Sequence, residues 1–268
     1  MKTPFILKPA IGFFSMGVYK ITSESDLELA KEDIQKNIRD VQKLYPKDVI
    51  DGTRFIIEEC IAGEEYAIDA YFDSEGEPVI LDILKHDFSS EADVSDRAYY
   101  TSKEIIEEYL DKFTKLLITI NEKTNLKNFP FHIEVKVNRD RITPIEINPL
   151  RFAGWCTTDI AYYAYGVNVY KYYLENQKPD WNKILEGKEG KLYSMIILDR
   201  PQHLAVEEIK EFNYDRVLNS FAKPLELRKI DHREYPVFGF VFTETEQENK
   251  REIEDILKSD LLEYIELR

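Results

Sequence analysis

Two short segments carry residue types that could grip a cation and a phosphate: Phe131-His-Ile-Glu-Val-Lys-Val137 and Ile142-Thr-Pro-Ile-Glu-Ile-Asn-Pro149. In each, apolar and polar residues alternate with a period of two, which predicts a β-strand with one apolar face. The polar run Asn138-Arg-Asp-Arg141 between them predicts a hairpin. Pairing about Asp140 sets Glu134 opposite Glu146 and His132 opposite Asn148, with all four side chains on one face. Directly opposed carboxylates repel, and a cation held between them removes that cost. An Asn carbonyl oxygen beside two carboxylates completes an all-oxygen, hard-cation set of the kind Mg²⁺ takes when it also bridges phosphates. The same alternation also describes an ordinary solvated strand face, and a one-residue slip would separate the four groups. The following Leu150-Arg-Phe-Ala-Gly154 and the segments upstream favour the cation reading.

The elements that must position this hairpin follow from patterning. Phe5-Ile-Leu reads as a strand ending in Lys8-Pro9, and Val18 to Ile21 as a second strand. The loop between them holds Gly12, Ser15 and Gly17, small residues that let backbone N–H groups approach a phosphate. It is not a Walker A loop, because Lys8 precedes the glycines and no helix follows; a plain surface hairpin is the other reading. Ser25 and Glu28 have the spacing of a capping box for a helix with a Leu27, Ala30, Ile34, Ile38, Val41 stripe. Arg54 to Ile61, Glu64 to Phe72 and Pro78 to Leu84 read as strands, and Lys85 to Ala98 as a polar loop. Thr101 and Glu104 have the spacing of a second capping box, opening a helix with Ile105, Ile106, Tyr109, Leu110, Phe113, Leu117 and Ile120 inward. A Tyr-rich helix is expected from Thr158 to Asn176, and a boundary near Gln177 to Gly190, where Pro and Gly interrupt charged residues. Beyond it, Leu192 to Leu198 and Val237 to Thr243 read as strands, Ala205 to Glu211 and Gln247 to Lys258 as helices.

The chain has 268 residues, 43% of them hydrophobic and 13% aromatic, enough for a substantial core in one large domain or two modest ones. A net charge of -15 argues against nonspecific binding to nucleic acid or anionic membranes. Two cysteines, Cys60 and Cys156, and four scattered histidines form no zinc pattern. Two free thiols suit a reducing cytoplasm, and no apolar run approaches a membrane span.

Lys8-Pro9 with its Gly/Ser flap, then Ile57-Glu-Glu-Cys-Ile-Ala-Gly-Glu-Glu65, Phe131 to Glu134 and Ile145 to Pro149 occur in the order and spacing of the ATP-grasp superfamily. Over residues 3 to 175 the chain resembles the ATP-binding half of a carboxylate–amine ligase, similar to L-amino acid ligases, D-alanine–D-alanine ligases and biotin carboxylases. The resemblance implies an α+β, ATP-grasp fold: two α+β lobes sandwiching the nucleotide, with a small C-terminal α/β extension. The lobes are expected at residues 1–57 and 58–180, and the extension at 181–268. It implies ATP and Mg²⁺ as cofactors, with Mn²⁺ as a possible substitute.

The resemblance also implies roles for individual residues. Lys8 contacts the phosphates, and the flap at Ser15, Met16 and Gly17 closes over them. Glu58, Glu59, Cys60 and Ile61 form the hinge strand that reads adenine, and Glu65 takes the ribose hydroxyls. Glu134, Glu146 and Asn148 match the Mg²⁺ ligands. His132 stands where a relative has a phosphate-side Arg, and Arg151 holds a substrate carboxylate or the transferred phosphate. Lys85 and Arg97 are further candidates, Lys85 for the nucleotide and Arg97 for catalysis.

The substrates implied are a small-molecule carboxylate and an amine, joined through an acyl phosphate. Relatives carry a whole domain before the Lys-Pro strand, so two alternatives stay open: a ligase, or a nucleotide-binding remnant or subunit without activity on its own. A separate chain supplying the front domain is one possible partner, and a homodimer another.

Overall fold

A computed structural model describes residues 3–12, 15, 17–38, 51, 53–90, 93–201 and 203–268. They form two compact units: Met1–Ala62 with Ser90–Asp96, and Gly63–Ser89 with Arg97–Arg268.

In the first unit, β1 (Phe5–Pro9) pairs antiparallel on one side with β2 (Tyr19–Ile21) and on the other with β3 (Phe55–Glu59). Strand alternation turns Phe5 and Leu7 inward, where they meet Ile21 and Ala30 in a small core that also takes Tyr19, Leu27, Ile34 and Phe55. Ala30 and Leu27 come from α1 (Glu24–Asp33), which runs on as a π-helical turn, Ile34–Ile38. The helix is capped by Ser23 with Asp26, not by Ser25 with Glu28. The Ser23 hydroxyl accepts from the Asp26 N–H at 3.2 Å, and Asp26 accepts from the Ser23 N–H at 2.9 Å. The reciprocal bonds start the helix earlier than the Ser/Glu spacing suggested. Val41, the last expected stripe residue, lies outside the described residues.

The second unit is built on an eight-stranded antiparallel sheet. In chain order its strands are β4 (Glu64–Phe72), β5 (Pro78–Asp87), β6 (Ala98–Ser102), β7 (Phe129–Asn138), β8 (Arg141–Pro149), β9 (Lys191–Asp199), β11 (Pro224–Lys229) and β12 (Val237–Glu246). Their spatial order is β11-β12-β9-β6-β5-β4-β7-β8. A separate two-stranded ribbon joins β10 (Ile209–Phe212) to β13 (Ile265–Leu267). Long helix α2 (Lys103–Thr124) covers one face, burying Ile105, Ile106, Tyr109, Phe113 and Leu117. Its N-cap is Ser102, whose hydroxyl accepts from the Ile105 N–H at 3.2 Å, where Thr101 had been expected. Tyr66 stacks into this layer, 4.4 Å from the Tyr109 ring centre. The alternation of β4 therefore sends Tyr66 and Ile68 under the helix and Glu65, Ala67 and Asp69 to the opposite face.

Three expectations change here. The Thr158–Asn176 helix is two, α3 (Asp159–Tyr165) and α4 (Val169–Leu174), because Gly166 turns left-handed (φ 70°) and its N–H closes on the Tyr162 carbonyl. Ala205 to Glu211 holds one 3₁₀ turn and the start of β10 instead of a helix. Residues 181–268 do not stand apart: β9 pairs with β6 in register Ala98↔Ile196, so β9, β12 and β11 extend the central sheet. Two short helices, α5 (Trp181–Ile184) and α6 (Tyr214–Leu218), and α7 (Arg251–Lys258) complete the unit. No helix among the described residues is long and apolar enough to cross a membrane.

Candidate metal and nucleotide site

The β7–β8 hairpin closes at Asn138↔Arg141 on a two-residue turn, with Arg139 at positive φ (55°). Lys136↔Thr143 and Val135↔Pro144 follow in step. The next pair is Glu134↔Glu146, then His132↔Asn148. Ile145 is the extra residue of a β-bulge. Without it Glu134 would face Ile145, and Glu146 would point to the other side of the sheet. Pro144 beside the bulge has no N–H to lose, and β8 is an edge strand, where bulges and Pro are tolerated. Pairing about Asp140 predicts these same partners. The structure reaches them by a tighter turn plus a bulge.

Asn148 Nδ2 donates to Glu146 Oε1 at 2.8 Å, and His132 Nε2 lies 3.3 Å from Glu134 Oε1. Among the described residues no three His, Cys, Asp or Glu side chains gather as a metal cage. Two carboxylates and an amide fit Mg²⁺ in another way: the ion binds few protein ligands and keeps water or phosphate oxygens for the rest of its octahedron.

Behind the pair sits His132, 5% exposed. Its Nδ1 is 2.8 Å from Asp69 Oδ1, which also accepts from the Ala153 N–H at 2.9 Å. Burial opposes the imidazolium, but the hydrogen bonds and charges of Asp69 and Glu134 outweigh it and push His132 up to about 9. Both ring nitrogens are thus engaged by protein carboxylates, and Asp69 ties the ring to the chain that follows Asn148.

Glu65 shares the same face. Its Oε2 meets Lys136 Nζ at 2.8 Å and its Oε1 meets His86 Nδ1 at 2.9 Å. Burial raises the Glu65 carboxyl, yet His86 and Lys136 together hold it down at about 2. The His86 ring stacks on Tyr99 at 4.2 Å and meets Phe88 at 4.1 Å, tilted by 43°.

Lys85 and Arg97 are engaged elsewhere. Lys85 points to the opposite face of the sheet, where it is register partner to Tyr66 and Tyr100 and pairs with Glu64. Arg97 binds both oxygens of Asp199 at 2.8 and 2.9 Å and donates to carbonyls at the end of α7, Leu257 at 3.3 Å and Ser259. A cation at a helix C-terminus is a capping arrangement. Arg151 is exposed; its Nη1 donates to the Phe152 carbonyl at 3.0 Å. In the first unit Lys8 Nζ pairs with Glu58 Oε2 at 2.8 Å, and Ser15 and Gly17 both take positive φ. Glu59 is exposed, and Cys60 and Ile61 are partly exposed. Met16 lies outside the described residues. Asp69, Asp82, His86 and Lys136 were not anticipated. The signal for the two aspartates was present: each is a lone acid in an otherwise apolar strand, Tyr66 to Phe72 and Val79 to Leu84.

A three-stranded α+β unit and an antiparallel sheet carrying an acidic hairpin are the two parts of the ATP-grasp class of fold. The chain matches the ATP-grasp domain family over residues 1–159 and belongs to that family. It is 30% identical over 166 residues to an alanine–anticapsin ligase of Bacillus subtilis (strain 168), a match covering 57% of this chain and 34% of that ligase. The match thus spans about a third of that relative's length. Among solved structures, an L-amino acid ligase from Bacillus licheniformis superposes with a TM-score of 0.63 at 17% identity, covering 100% of this chain and 64% of that one. A biotin carboxylase from Campylobacter jejuni, solved as a β,γ-ATP complex, gives 0.59 at 12% identity, covering 99% and 58%. At these identities the structures share the fold.

Proposed function

We propose that this chain binds Mg·ATP and serves an ATP-dependent carboxylate–amine ligase. The observation that carries the reading is the direct pairing of Glu134 with Glu146, with Asn148 bonded to Glu146 on the same face. Mg²⁺, when bound, would offset charge on the β- and γ-phosphates. The chain's own residues do the rest. Glu134, Glu146 and Asn148 hold the ion, and His132 orients Glu134. Lys8 exchanges Glu58 for a phosphate, with backbone N–H groups around Ser15 and Gly17 beside it. Arg151 meets the substrate carboxylate or the phosphoryl group in transit.

In the reaction a substrate carboxylate oxygen attacks the γ-phosphorus, the bond to the β–γ bridging oxygen breaks, and ADP leaves. The amine nitrogen then attacks the acyl carbon, and phosphate departs with the electrons of the C–O bond as the nitrogen loses a proton. The cost lies in concentrating charge on the moving phosphoryl group, and fixed cations relieve it. Removing one such contact costs about 3 kcal/mol of transition-state stabilisation. The alanine–anticapsin and L-amino acid ligases suggest an amino acid as the carboxylate substrate.

ADP release on a panel of amino acid pairs with Mg·ATP tests the reading, and ATP binding without turnover on any pair counts against it. A second reading follows from the match to about a third of the ligase's length: nucleotide binding by this chain, with turnover only when another chain is added. Steady turnover by this chain alone rules that out.

A further inference from the structure

Asp69 on β4 and Asp82 on β5 are direct register partners on the face that carries Glu134. Paired side chains at such positions have Cβ atoms about 5 Å apart. Asp69 is 2% exposed and Asp82 0%. Each has one buried oxygen, Oδ2, with no hydrogen-bond partner among the described residues. Two orphan acceptors on facing acids are satisfied together by a single proton. Two buried carboxylates side by side cannot both stay ionised.

The hydrogen bonds say which residue carries the proton. Asp69 Oδ1 already accepts from His132 and from the Ala153 N–H, as an anion does. Asp82 accepts its neighbour's N–H, Ile83 at 2.8 Å, and the neutral Thr101 hydroxyl is also a hydrogen-bonding neighbour of its carboxyl; both act to lower it, against burial and Asp69. The groups facing Asp82 from the elements around it are Asp69, the Thr101 hydroxyl on β6, and the Tyr165 hydroxyl of α3, which is 3.0 Å from Thr101. None is a cation. Burial and the facing Asp69 push the Asp82 carboxyl well above the usual carboxylate range.

We infer that Asp82 is a positioning residue, kept in its acid form and donating to Asp69, so that Asp69 fixes His132 behind Glu134 and Ala153 behind Arg151. One buried proton thereby braces both arms of the site, the metal carboxylate on β7 and the chain leaving β8. The consequence for metal binding rests on the Mg²⁺ reading above; the acid pair itself does not.

The test uses the whole chain with ¹³C-labelled aspartate, three forms of the protein, and Mn²⁺ as the metal probe. Wild type at pH 7 should show one carboxyl-carbon resonance at the protonated position, absent from Asp82→Asn. The His132 Nδ1–H proton should be observable in wild type and in Asp82→Asn, whose amide donates in the same place, and lost in Asp82→Leu, which cannot donate. Mn²⁺ affinity, followed by electron paramagnetic resonance, should be unchanged in Asp82→Asn and fall about 10- to 100-fold in Asp82→Leu. If Asp82→Leu does not fold, the wild-type and Asp82→Asn spectra decide. Aspartates that are all ionised at pH 7 overturn the inference, as does Asp82→Asn losing the His132 proton. Wild type that shows both resonances yet binds no Mn²⁺ overturns the metal reading and supports the acid pair.

Discussion

Glu134 and Glu146 face each other across the β7–β8 hairpin because one residue, Ile145, is bulged out between them and the turn. The register below the bulge would have sent Glu146 to the far side of the sheet. The opposition of two acids is therefore a built feature of an edge strand, set by a backbone irregularity beside Pro144. Opposed like charges weaken a hairpin by a few tenths of a kcal/mol to about 1 kcal/mol, a cost that a bound cation removes.

Glu146→Gln should remove Mg²⁺-dependent ATP turnover and leave the metal-free protein as stable as wild type or up to about 1 kcal/mol more stable. The Gln oxygen can still accept from Asn148. Urea denaturation without metal, beside a turnover assay, checks both halves. A large loss of stability would make Glu146 a structural partner.

His132→Leu should destabilise the metal-free protein by about 3–5 kcal/mol, because it leaves Asp69 buried without its cationic partner. His132→Leu combined with Asp69→Leu should recover much of that loss while Mg²⁺ binding stays weak. Chemical denaturation of the single and double variants measures the coupling; an additive pair contradicts it.

Asp73 offers a pH signature away from the site. It accepts N–H groups from Glu75 and Glu77 at 2.9 Å each and pairs with Lys178 at 2.6 Å. Burial acts to raise its carboxyl, but Lys178 and the two N–H groups prevail and hold it below the usual range. A carboxyl lowered in the folded state adds stability that is complete above the unfolded pKa of about 4 and is lost as pH falls through the folded value. Wild type should therefore lose stability below pH 4 more steeply than Asp73→Asn. Parallel curves from pH 7 to 3 would contradict this.

Gly63 fixes where β4 starts beside β7. Its φ is +139°, and a Cβ there would stand 2.5 Å from the Val137 carbonyl oxygen. Gly63→Ala should cost about 1–3 kcal/mol by forcing the strands apart, and should loosen the Glu65–Lys136 pair one turn of the pleat away. Thermal denaturation reads the first effect. An unchanged melting temperature would refute it.

The hairpin partners were legible in the sequence because a period of two, counted from the turn, places four polar groups on one face. The bulge was not legible, and the correct pairs came from assuming a turn one residue longer. Lys85 shows the cost of reading loops by polarity: β5 continues through it to Asp87, and strand parity puts it on the face opposite Glu134. Arg97 was attractive as a cation near the site, but its partners, Asp199 and the end of α7, lie about 100 and 160 residues along the chain, a separation local patterning cannot span. The strands β9 and β12 were readable as strands. The pairing of β9 with β6 was not, since the Pro- and Gly-bearing stretch before β9 resembles a linker although the sheet continues past it.

Calorimetric titration with ATP, with and without Mg²⁺, on wild type and Glu134→Gln tests whether the opposed acids hold the ion that binds the nucleotide. Wild type should bind the nucleotide with metal-dependent affinity and gain about 2.7 kcal/mol of stability at one hundred times the dissociation constant. Glu134→Gln should keep the fold and lose the metal dependence. Equal Mg·ATP binding by the two proteins, or none by wild type at millimolar concentrations, would show that Glu134 holds no nucleotide-linked metal.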